Sequence, residues 1–142
     1  MDNKLRYCPS GDSGIIIYVG NEISEEVNRK VRSIVYCIEN RGLDEVIEIV
    51  PSYNSILLSY DPLKASYEEI IGRLEMIGRA TEEIDLPAAE VITIPVLYGG
   101  DFGIDLDYVA GHNKLPAEEV VRIHSSVEYL VYLLGFTPGF PY

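Results

Sequence analysis

The residues best suited to chemistry lie near the end of the chain, between His124 and Glu128. His124 is followed by Ser125 and Ser126, and Glu128 lies four residues further on. An imidazole flanked by hydroxyl and carboxyl groups is typical of a general base held by hydrogen bonds. A histidine that caps the C-terminus of a helix, where a cation is favoured, explains the same residues. The residues by themselves favour the capping interpretation over the general base.

An aromatic segment rich in turn residues follows directly. It reads Gly135-Phe136-Thr137-Pro138-Gly139-Phe140-Pro141-Tyr142. Its prolines fix the backbone and its glycines permit tight turns beside the aromatic rings. The segment therefore indicates either a rigid wall of a groove or a hydrophobic loop that packs on further chain. Because the sequence stops directly after this turn, we expect a domain that is cut short.

Other motifs carry weaker signals. Gly99-Gly100 would let the backbone approach a ligand, although a glycine pair after a strand is more often simply a turn. His112 and His124 are the only two histidines, and neither has cysteine or carboxylate neighbours at a metal-ligand spacing. We therefore expect no metal site. The sequence also lacks a catalytic triad and a Walker loop, so we do not expect this chain to be an enzyme alone.

Composition limits the partners. The 142 residues include 11 Lys and Arg against 23 Asp and Glu, for a net charge of −12. Because the chain is acidic and has no basic cluster, we expect no nucleic-acid partner. No apolar run approaches the roughly 20 residues that span a bilayer, and the first residues lack a signal-peptide pattern. We expect a soluble cytoplasmic protein with no membrane partner, in which Cys8 and Cys37 are free and mostly buried thiols.

Periodicity and turn signals predict the elements of the first half. Ser24 and Gly42 bound an amphipathic helix, and Ser66 with Glu69 opens a second helix that ends near Gly78. Strands are predicted at residues 15–19, 46–50, 55–60 and 91–96, and residues 5–8 are a candidate partner for the strand at 15–19. The order β-α-β-β-α-β is that of a ferredoxin-like domain.

The second half is predicted to form a separate unit, because residues 80–90 also read as a linker. It contains the strand at 91–97, a helix from about Asp105 to Ala110, a helix from Pro116 to His124, and a buried strand from Glu128 to Leu134. Two short helices and two strands are too little for a closed layer, so this unit should need more chain or a partner. The overall prediction is an α+β protein with domains at 1–85 and 86–142.

Three groups of residues together are similar to a known family. They are Gly11-Asp12-Ser13 before an apolar strand, Ile94-Pro95-Val96 with Tyr98-Gly99-Gly100, and His124-Ser125-Ser126-x-Glu128-Tyr129 leading to the segment at 135–142. The chain resembles the KipI family, also described as the B subunit of bacterial ATP-dependent 5-oxoprolinase, formerly as allophanate hydrolase subunit 1, or as carboxyltransferase subdomains C and D. The resemblance implies a small N-terminal α/β domain followed by a cyclophilin-like β-barrel, of which residues 86–142 would be only the N-terminal part.

The resemblance also implies a function. In this family the B subunit acts with an A subunit and a KipA-like C subunit to hydrolyse 5-oxo-L-proline to L-glutamate at the expense of ATP, and this chain would bind no cofactor alone. The resemblance also implies that His124 lines the shared groove as the best candidate for proton transfer. The implied substrate groove contains these further residues: Gly99, Gly100, Ser125, Glu128, Tyr129, Phe136, Pro138, Gly139, Phe140 and Pro141. Two alternatives remain: a KipI-type inhibitor of a sensor histidine kinase, and the carboxyltransferase portion of a urea-carboxylase-like system.

Overall fold

The computed structural model describes residues 5–80, 86–135 and 137–142. It divides the chain into two compact units. The first unit comprises Met1–Pro87 together with Val131–Tyr142, and the second unit comprises Ala88–Leu130. The mixture of helices with one antiparallel sheet is the predicted α+β class.

The first unit contains a four-stranded antiparallel sheet. Its strands are β1 (Arg6–Pro9), β2 (Gly14–Tyr18), β3 (Val46–Pro51) and β4 (Ser55–Tyr60), in the spatial order β1-β2-β4-β3. Ile15 lies opposite Leu58, and Ile17 lies opposite Ile56, so these four side chains share one face. All four are buried, because alternate residues of paired strands point to the same side of a sheet.

Two helices supply the other side of the core. Helix α1 (Glu25–Arg41) begins after Ser24, whose Oγ accepts a hydrogen bond from the N–H of Val27 at 3.3 Å. It ends at Gly42, which adopts the left-handed conformation with φ 59° that glycine permits. Both predicted ends of this helix are confirmed.

Helix α2 (Tyr67–Ala80) begins with the predicted capping box. The N–H of Ser66 donates to Glu69 Oε2 at 2.8 Å, while the N–H of Glu69 donates to Ser66 Oγ at 3.3 Å. The helix continues past Gly78, which therefore does not act as a stop. A Cβ atom at Gly78 would lie 2.7 Å from Leu5 Cδ1, so this glycine allows the chain before β1 to pack against α2.

The core of the first unit is almost entirely aliphatic. Its most buried side chains are Ile15, Ile17, Val31, Ile38, Ile56, Leu58, Ile70, Leu74 and Ile77. The two cysteines are free, with Cys37 buried and Cys8 half-buried, as the sequence predicts. Burial of this apolar surface is the main source of stability for the sheet and its helices.

The predicted element order needs a correction. Residues 91–96 form no strand, so the fourth strand of the sheet is β1, giving the order β-β-α-β-β-α. β1 pairs antiparallel with β2, which confirms the expected partner, and β4 occupies the other edge of β2. Because β2 has strands on both edges, it offers no edge to residues 91–96, whose large apolar side chains are exposed.

The second unit has little regular structure. A 3₁₀ turn at Gly100–Phe102 precedes α3 (Leu106–Asn113) and α4 (Ala117–Ser125). The predicted helix from about Asp105 to Ala110 continues three residues further, to Asn113, and ends at Lys114, which has φ 56°. Within Ala88–Leu130, Ala110 is the one buried residue. The helices of this unit therefore bury little apolar surface within the chain.

The predicted buried strand from Glu128 to Leu134 is also wrong. Leu134 forms an isolated bridge with Pro141, and no strand includes the other residues of this range. Val131 and Leu134 are exposed. Tyr132 and Leu133 form backbone hydrogen bonds with Tyr142, but among the described residues these give the run a neighbour on one side only. It therefore gains neither the burial nor the two neighbours that a central strand requires. No helix of the part that the structure describes is long and apolar enough to cross a membrane.

Candidate functional site

His124 lies in the last turn of α4, the position predicted for it, and its ring contacts Tyr98. The Tyr98 Oη and His124 Nδ1 atoms are 2.5 Å apart, which is a short hydrogen bond. The two rings meet edge to face, with centroids 5.6 Å apart. The contact fixes the imidazole on its Nδ1 side, so Nε2 is the nitrogen left for a substrate.

The direction of this hydrogen bond decides what Nε2 can do. If Nδ1 donates its proton to the Tyr98 oxygen, neutral His124 has a lone pair on Nε2 and can act as a base. If the Tyr98 hydroxyl donates to Nδ1, Nε2 carries the proton and can act as a donor. A protonated tyrosine serves either arrangement, because its hydroxyl both donates and accepts. The pair can therefore support proton transfer in both directions.

Tyr129 completes an aromatic cluster around His124. Its hydroxyl donates to the backbone oxygen of His124 at 3.0 Å, and its ring centroid lies 5.7 Å from that of the imidazole. Tyr129 thereby binds the C-terminal end of α4, where carbonyl groups lack helical partners. We name Tyr98, His124 and Tyr129 the histidine cluster.

The polar neighbours of His124 in sequence do not join this cluster. Ser125 Oγ donates to Val121 O at 2.8 Å, and Ser126 Oγ donates to Ile123 O at 3.2 Å, so both hydroxyls satisfy carbonyls of α4. Glu128 is exposed, and no hydrogen bond or ion pair joins it to the described residues. Ser125 and Glu128 are thus near His124 in sequence without contacting its ring.

Gly99 and Gly100 form the turn that follows Tyr98. Their φ angles are 74° and 57°, a region that side-chain-bearing residues rarely adopt. Gly103 N–H donates to Gly100 O at 3.4 Å, which closes the 3₁₀ turn, and also to Gly99 O at 3.1 Å. The glycine pair therefore has a backbone role at the residue that contacts His124.

The aromatic segment folds back on the chain before it. Thr137 O accepts the N–H of Phe140 at 3.0 Å across Pro138 and Gly139, and Gly139 has φ 74°. Proline followed by a glycine with positive φ is the signature of a type II turn. The loop brings Pro141 opposite Leu134, whereas Phe136 lies outside the described residues.

The rings of this segment form a small exposed surface. Phe140 and Tyr142 have ring centroids 5.0 Å apart, and the N–H of Tyr142 donates to Leu133 O at 2.9 Å. Pro138, Gly139, Phe140 and Pro141 belong to the first unit, whereas the histidine cluster belongs to the second. The predicted groove residues therefore fall into two sets.

Tyr98 is a candidate site residue that the sequence analysis named in a family motif but did not place beside His124. It lies 26 residues before His124, and spacing along the chain gives no sign that the two side chains meet. Its position directly before the glycine pair was the available signal, because a turn of fixed geometry can orient the side chain that precedes it. Among the described residues, no three His, Cys, Asp or Glu side chains group as metal ligands.

Comparison with known proteins gives close relatives. The B subunit of the 5-oxoprolinase of Bacillus subtilis (strain 168) is 40% identical over 142 aligned residues, covering 93% of this chain and 59% of that protein. The corresponding B subunit of 5-oxoprolinase from Escherichia coli O157:H7 is 34% identical over 134 residues, with the same two coverages. The chain thus spans about three fifths of the length of the curated relatives it matches.

Solved structures give a similar result. The crystal structure of TTHA0988 matches with a TM-score of 0.72 at 33% identity, over 90% of this chain and 24% of that one. The urea carboxylase of Kluyveromyces lactis matches with a TM-score of 0.64 at 18% identity, over 96% of this chain and 14% of that one. At this low identity the second match shows the fold alone.

The family profile described as carboxyltransferase domain, subdomain C and D, matches residues 5–142, which is nearly the whole chain. This match and the curated relatives confirm the resemblance inferred from the motifs. The chain belongs to the family of carboxyltransferase domains, subdomain C and D.

Proposed function

We propose that this chain forms part of the B subunit of an ATP-dependent 5-oxoprolinase, which hydrolyses 5-oxo-L-proline to L-glutamate. The observation that carries the proposal is the identity of 40% and 34% to two proteins of that name across 93% of this chain. Neither relative carries a name that refers to kinase inhibition or urea carboxylation. A role in 5-oxoprolinase is therefore favoured over both alternatives.

The proposed reaction explains the need for ATP. The lactam carbonyl of 5-oxoproline is a poor electrophile, and transfer of a phosphoryl group from ATP to its oxygen makes the carbon reactive. Addition of water and cleavage of the C–N bond open the ring to a glutamyl phosphate, and a second water releases phosphate. The nitrogen that leaves must gain a proton, so the reaction needs a proton donor beside the ring.

His124 is our candidate for this proton transfer. Tyr98 contacts its Nδ1 atom, and the exposed imidazole leaves Nε2 on the surface. Tyr98 is a positioning residue in this proposal, because it acts on the substrate only through His124. The groove would include Gly99, Gly100 and Tyr129 from the second unit.

We also propose that the other predicted groove residues contact the substrate. Ser125 and Glu128 would reach the substrate from the end of α4. In the first unit, the turn at Pro138 and Gly139 with Phe140 and Pro141 would offer a separate apolar surface to a ligand. The exposed rings of Phe140 and Tyr142 support this role, since aromatic side chains commonly line ligand sites.

We also propose a fold type for each of the two units. The sheet order β1-β2-β4-β3 with two helices resembles a ferredoxin-like domain in which β1 replaces the final strand. The second unit would be the opening of a cyclophilin-like barrel. Its support is that Ala110 is the one buried residue of Ala88–Leu130, so further strands would cover the exposed apolar side chains.

The A and C subunits of 5-oxoprolinase are the proposed partners, and ATP would be consumed by the complex. No Walker loop occurs in the sequence, so we assign ATP binding to one of these partners. The proposed site is open on the surface of this chain, and such a site needs a second surface to exclude water from a phosphorylated intermediate.

The test is ATP-dependent glutamate release by the B subunit assembled with the A and C subunits. We expect His124→Ala to lower kcat by roughly 10²–10⁴-fold, the usual contribution of general acid–base catalysis. The matched control is His112→Ala, which removes the other exposed histidine, stacked on Tyr108 in α3. Unchanged glutamate release by a fully assembled His124→Ala complex would exclude the proposed role of this histidine.

A further inference from the structure

The sheet of the first unit packs against α1 and α2 through one of its faces. Ile15 and Ile17 of β2 are buried in that core, so the side chains of their neighbours in the strand point to the opposite side of the sheet. We name this opposite side the open face. Its middle row crosses all four strands and consists, in spatial order, of Cys8, Ile16, Leu57 and Val50.

The middle row of the open face is apolar in every strand. Leu57 is 38% exposed and Val50 is 43% exposed, while Ile16 and Cys8 are half-buried. None of these four residues packs against the core of the unit. A sheet face that meets water usually presents polar side chains, whereas adjoining exposed apolar side chains mark an interaction surface. The open face is therefore suited to contact with another molecule.

Two charged residues flank this apolar row. The guanidinium of Arg6 lies 4.1 Å from the ring centroid of Tyr18, which holds the positive charge above the sheet, and Glu48 is exposed. No ion pair joins Arg6 or Glu48 to another described residue. They are the two charged strand residues of the open face. In a chain of net charge −12, this face therefore carries one charge of each sign.

Arg6 and Glu48 lie at opposite corners of the open face. Arg6 is on β1 at one edge of the sheet, two residues from Cys8. Glu48 is on β3 at the other edge, two residues from Val50 on the other side of the apolar row. Three strand spacings separate the corners across the sheet and four residues separate them along it, which is about 14 Å in each direction. The two side chains are therefore too far apart to pair within one chain.

This charge pattern is complementary to itself. A two-fold axis that exchanges the corners places Arg6 of one protomer opposite Glu48 of its partner, and the reverse contact follows by symmetry. Because the two separations are equal, the axis runs at about 45° to the strands, and the strands of the two copies cross at about 90°. Orthogonal crossing is one of the two usual arrangements of sheets packed face to face. The two apolar rows then cross at the centre of the interface.

We propose that the open face binds a second copy of this chain, in a symmetric dimer with Arg6 paired to Glu48 at both ends of the interface. The contact covers the exposed side chains of Val50 and Leu57. It also brings two acidic chains together at a surface that has no net charge, where repulsion between the copies is smallest.

The experiment is sedimentation velocity of the 142-residue chain over a range of concentrations. We expect a reversible monomer–dimer equilibrium with a dissociation constant of roughly 1–100 µM, because one small sheet face offers less area than a standard protein interface. Arg6→Glu and Glu48→Arg should each weaken the dimer by at least roughly tenfold, since each places two pairs of like charges in contact.

Mixing the two variants is the decisive step. A heterodimer of Arg6→Glu with Glu48→Arg has an opposite-charge pair at both ends, so we expect a one-to-one mixture to recover the native affinity although neither variant dimerises well alone. Arg29→Glu is the matched control, because it changes the net charge as Arg6→Glu does but lies on the exposed surface of α1. It should leave the dimer intact. Leu57→Thr, which keeps a strand-forming residue, should weaken the dimer through loss of apolar contact.

Three results would overturn the inference. The first is a native chain that stays monomeric at millimolar concentration. The second is equal association of the native chain and Arg6→Glu, and the third is a mixture that associates no better than its components. If the native chain is monomeric and Arg6→Glu instead prevents assembly with the A and C subunits, one of those subunits covers the open face. Sedimentation needs neither ATP nor 5-oxoproline, so its outcome and that of the glutamate-release assay are independent.

Discussion

Tyr98 contacts the Nδ1 atom of His124 across 26 residues of sequence, at a distance of 2.5 Å between oxygen and nitrogen. The two residues come from different parts of the chain, since Tyr98 precedes the 3₁₀ turn and His124 lies in the last turn of α4. The contact restricts the rotation of the imidazole and couples the position of its proton to the direction of the hydrogen bond. This relationship, rather than the neighbouring serines or Glu128, determines how His124 is presented.

Tyr98→Phe should release this restriction. The substitution removes one oxygen atom and keeps the ring, so we expect kcat of the assembled enzyme to fall roughly tenfold with little change in KM. Nitrogen NMR should show a changed ratio of the two His124 tautomers, which a merely structural role of Tyr98 would not cause. Tyr108→Phe is the control, since Tyr108 stacks on the other histidine. An unaltered tautomer ratio in Tyr98→Phe would contradict the positioning role.

Arg73→Met should destabilise the first unit. Arg73 pairs with Glu45, which is 6% exposed, so the substitution leaves a buried carboxylate without its cation. We expect the free energy of unfolding to fall by about 1–3 kcal/mol, measured by urea denaturation. Adding Glu45→Gln should recover part of the loss.

Lys30→Met provides the comparison, because Lys30 pairs with Glu26 on the exposed surface of α1. Its effect should be much smaller, since water already solvates both charges. Equal losses in the free energy of unfolding for Arg73→Met and Lys30→Met would show that the burial of Glu45 does not increase the cost of removing its cation.

The capping box predicts a loss of stability in acid. Hydrogen bonds from the N–H and then the hydroxyl of Ser66 lower the pKa of Glu69 below its ordinary value of 4.5. Because the pKa of Glu69 is lower in the folded state than in the unfolded chain, the ionised carboxylate stabilises the fold at pH values above its ordinary pKa. This contribution is lost as the pH falls through the lowered pKa. Urea denaturation at several pH values should show a smaller acid-induced loss in Glu69→Gln. Glu68→Gln, in the same first turn, should keep the pH dependence of the native chain.

Gly20→Ala should strain the packing between the chain after β2 and α1. A Cβ atom at Gly20 would lie 2.7 Å and 2.9 Å from the two γ-carbons of Val27, whose branched side chain has little freedom to move. We expect a loss of about 1–3 kcal/mol, the usual cost of overpacking. The double variant Gly20→Ala with Val27→Ala should lose less free energy of unfolding than the sum of the two single losses, because the second change removes the clashing γ-carbons. A double-mutant cycle measures this difference.

Local signals predicted the first unit well and the second poorly. Ser24 with Gly42 and Ser66 with Glu69 mark helix ends through hydrogen bonds made within one turn, so the sequence alone contains the necessary information. The apolar runs at 91–96 and 128–134 have strand-like composition, but a strand also needs a neighbour to accept its hydrogen bonds. No described residue supplies that neighbour to Val91 or Val131.

The candidate site was likewise predictable only in part. The place of His124 in the last turn of α4 followed from helix periodicity and from Pro116 at its start. Its contact with Tyr98 depends on how the glycine turn and α4 pack, and such tertiary contacts leave no periodic trace in the sequence.

The strand order β1-β2-β4-β3 has a consequence for the kinetics of folding. The β1–β2 and β3–β4 pairs join neighbours in sequence, whereas the β2–β4 pair must close a loop that contains α1 and β3. Closing that loop costs chain entropy before the contacts between Ile17 and Ile56 are made. The joining of the two hairpins through these isoleucines is therefore the natural rate-limiting event, and shortening either side chain should slow folding more than it speeds unfolding.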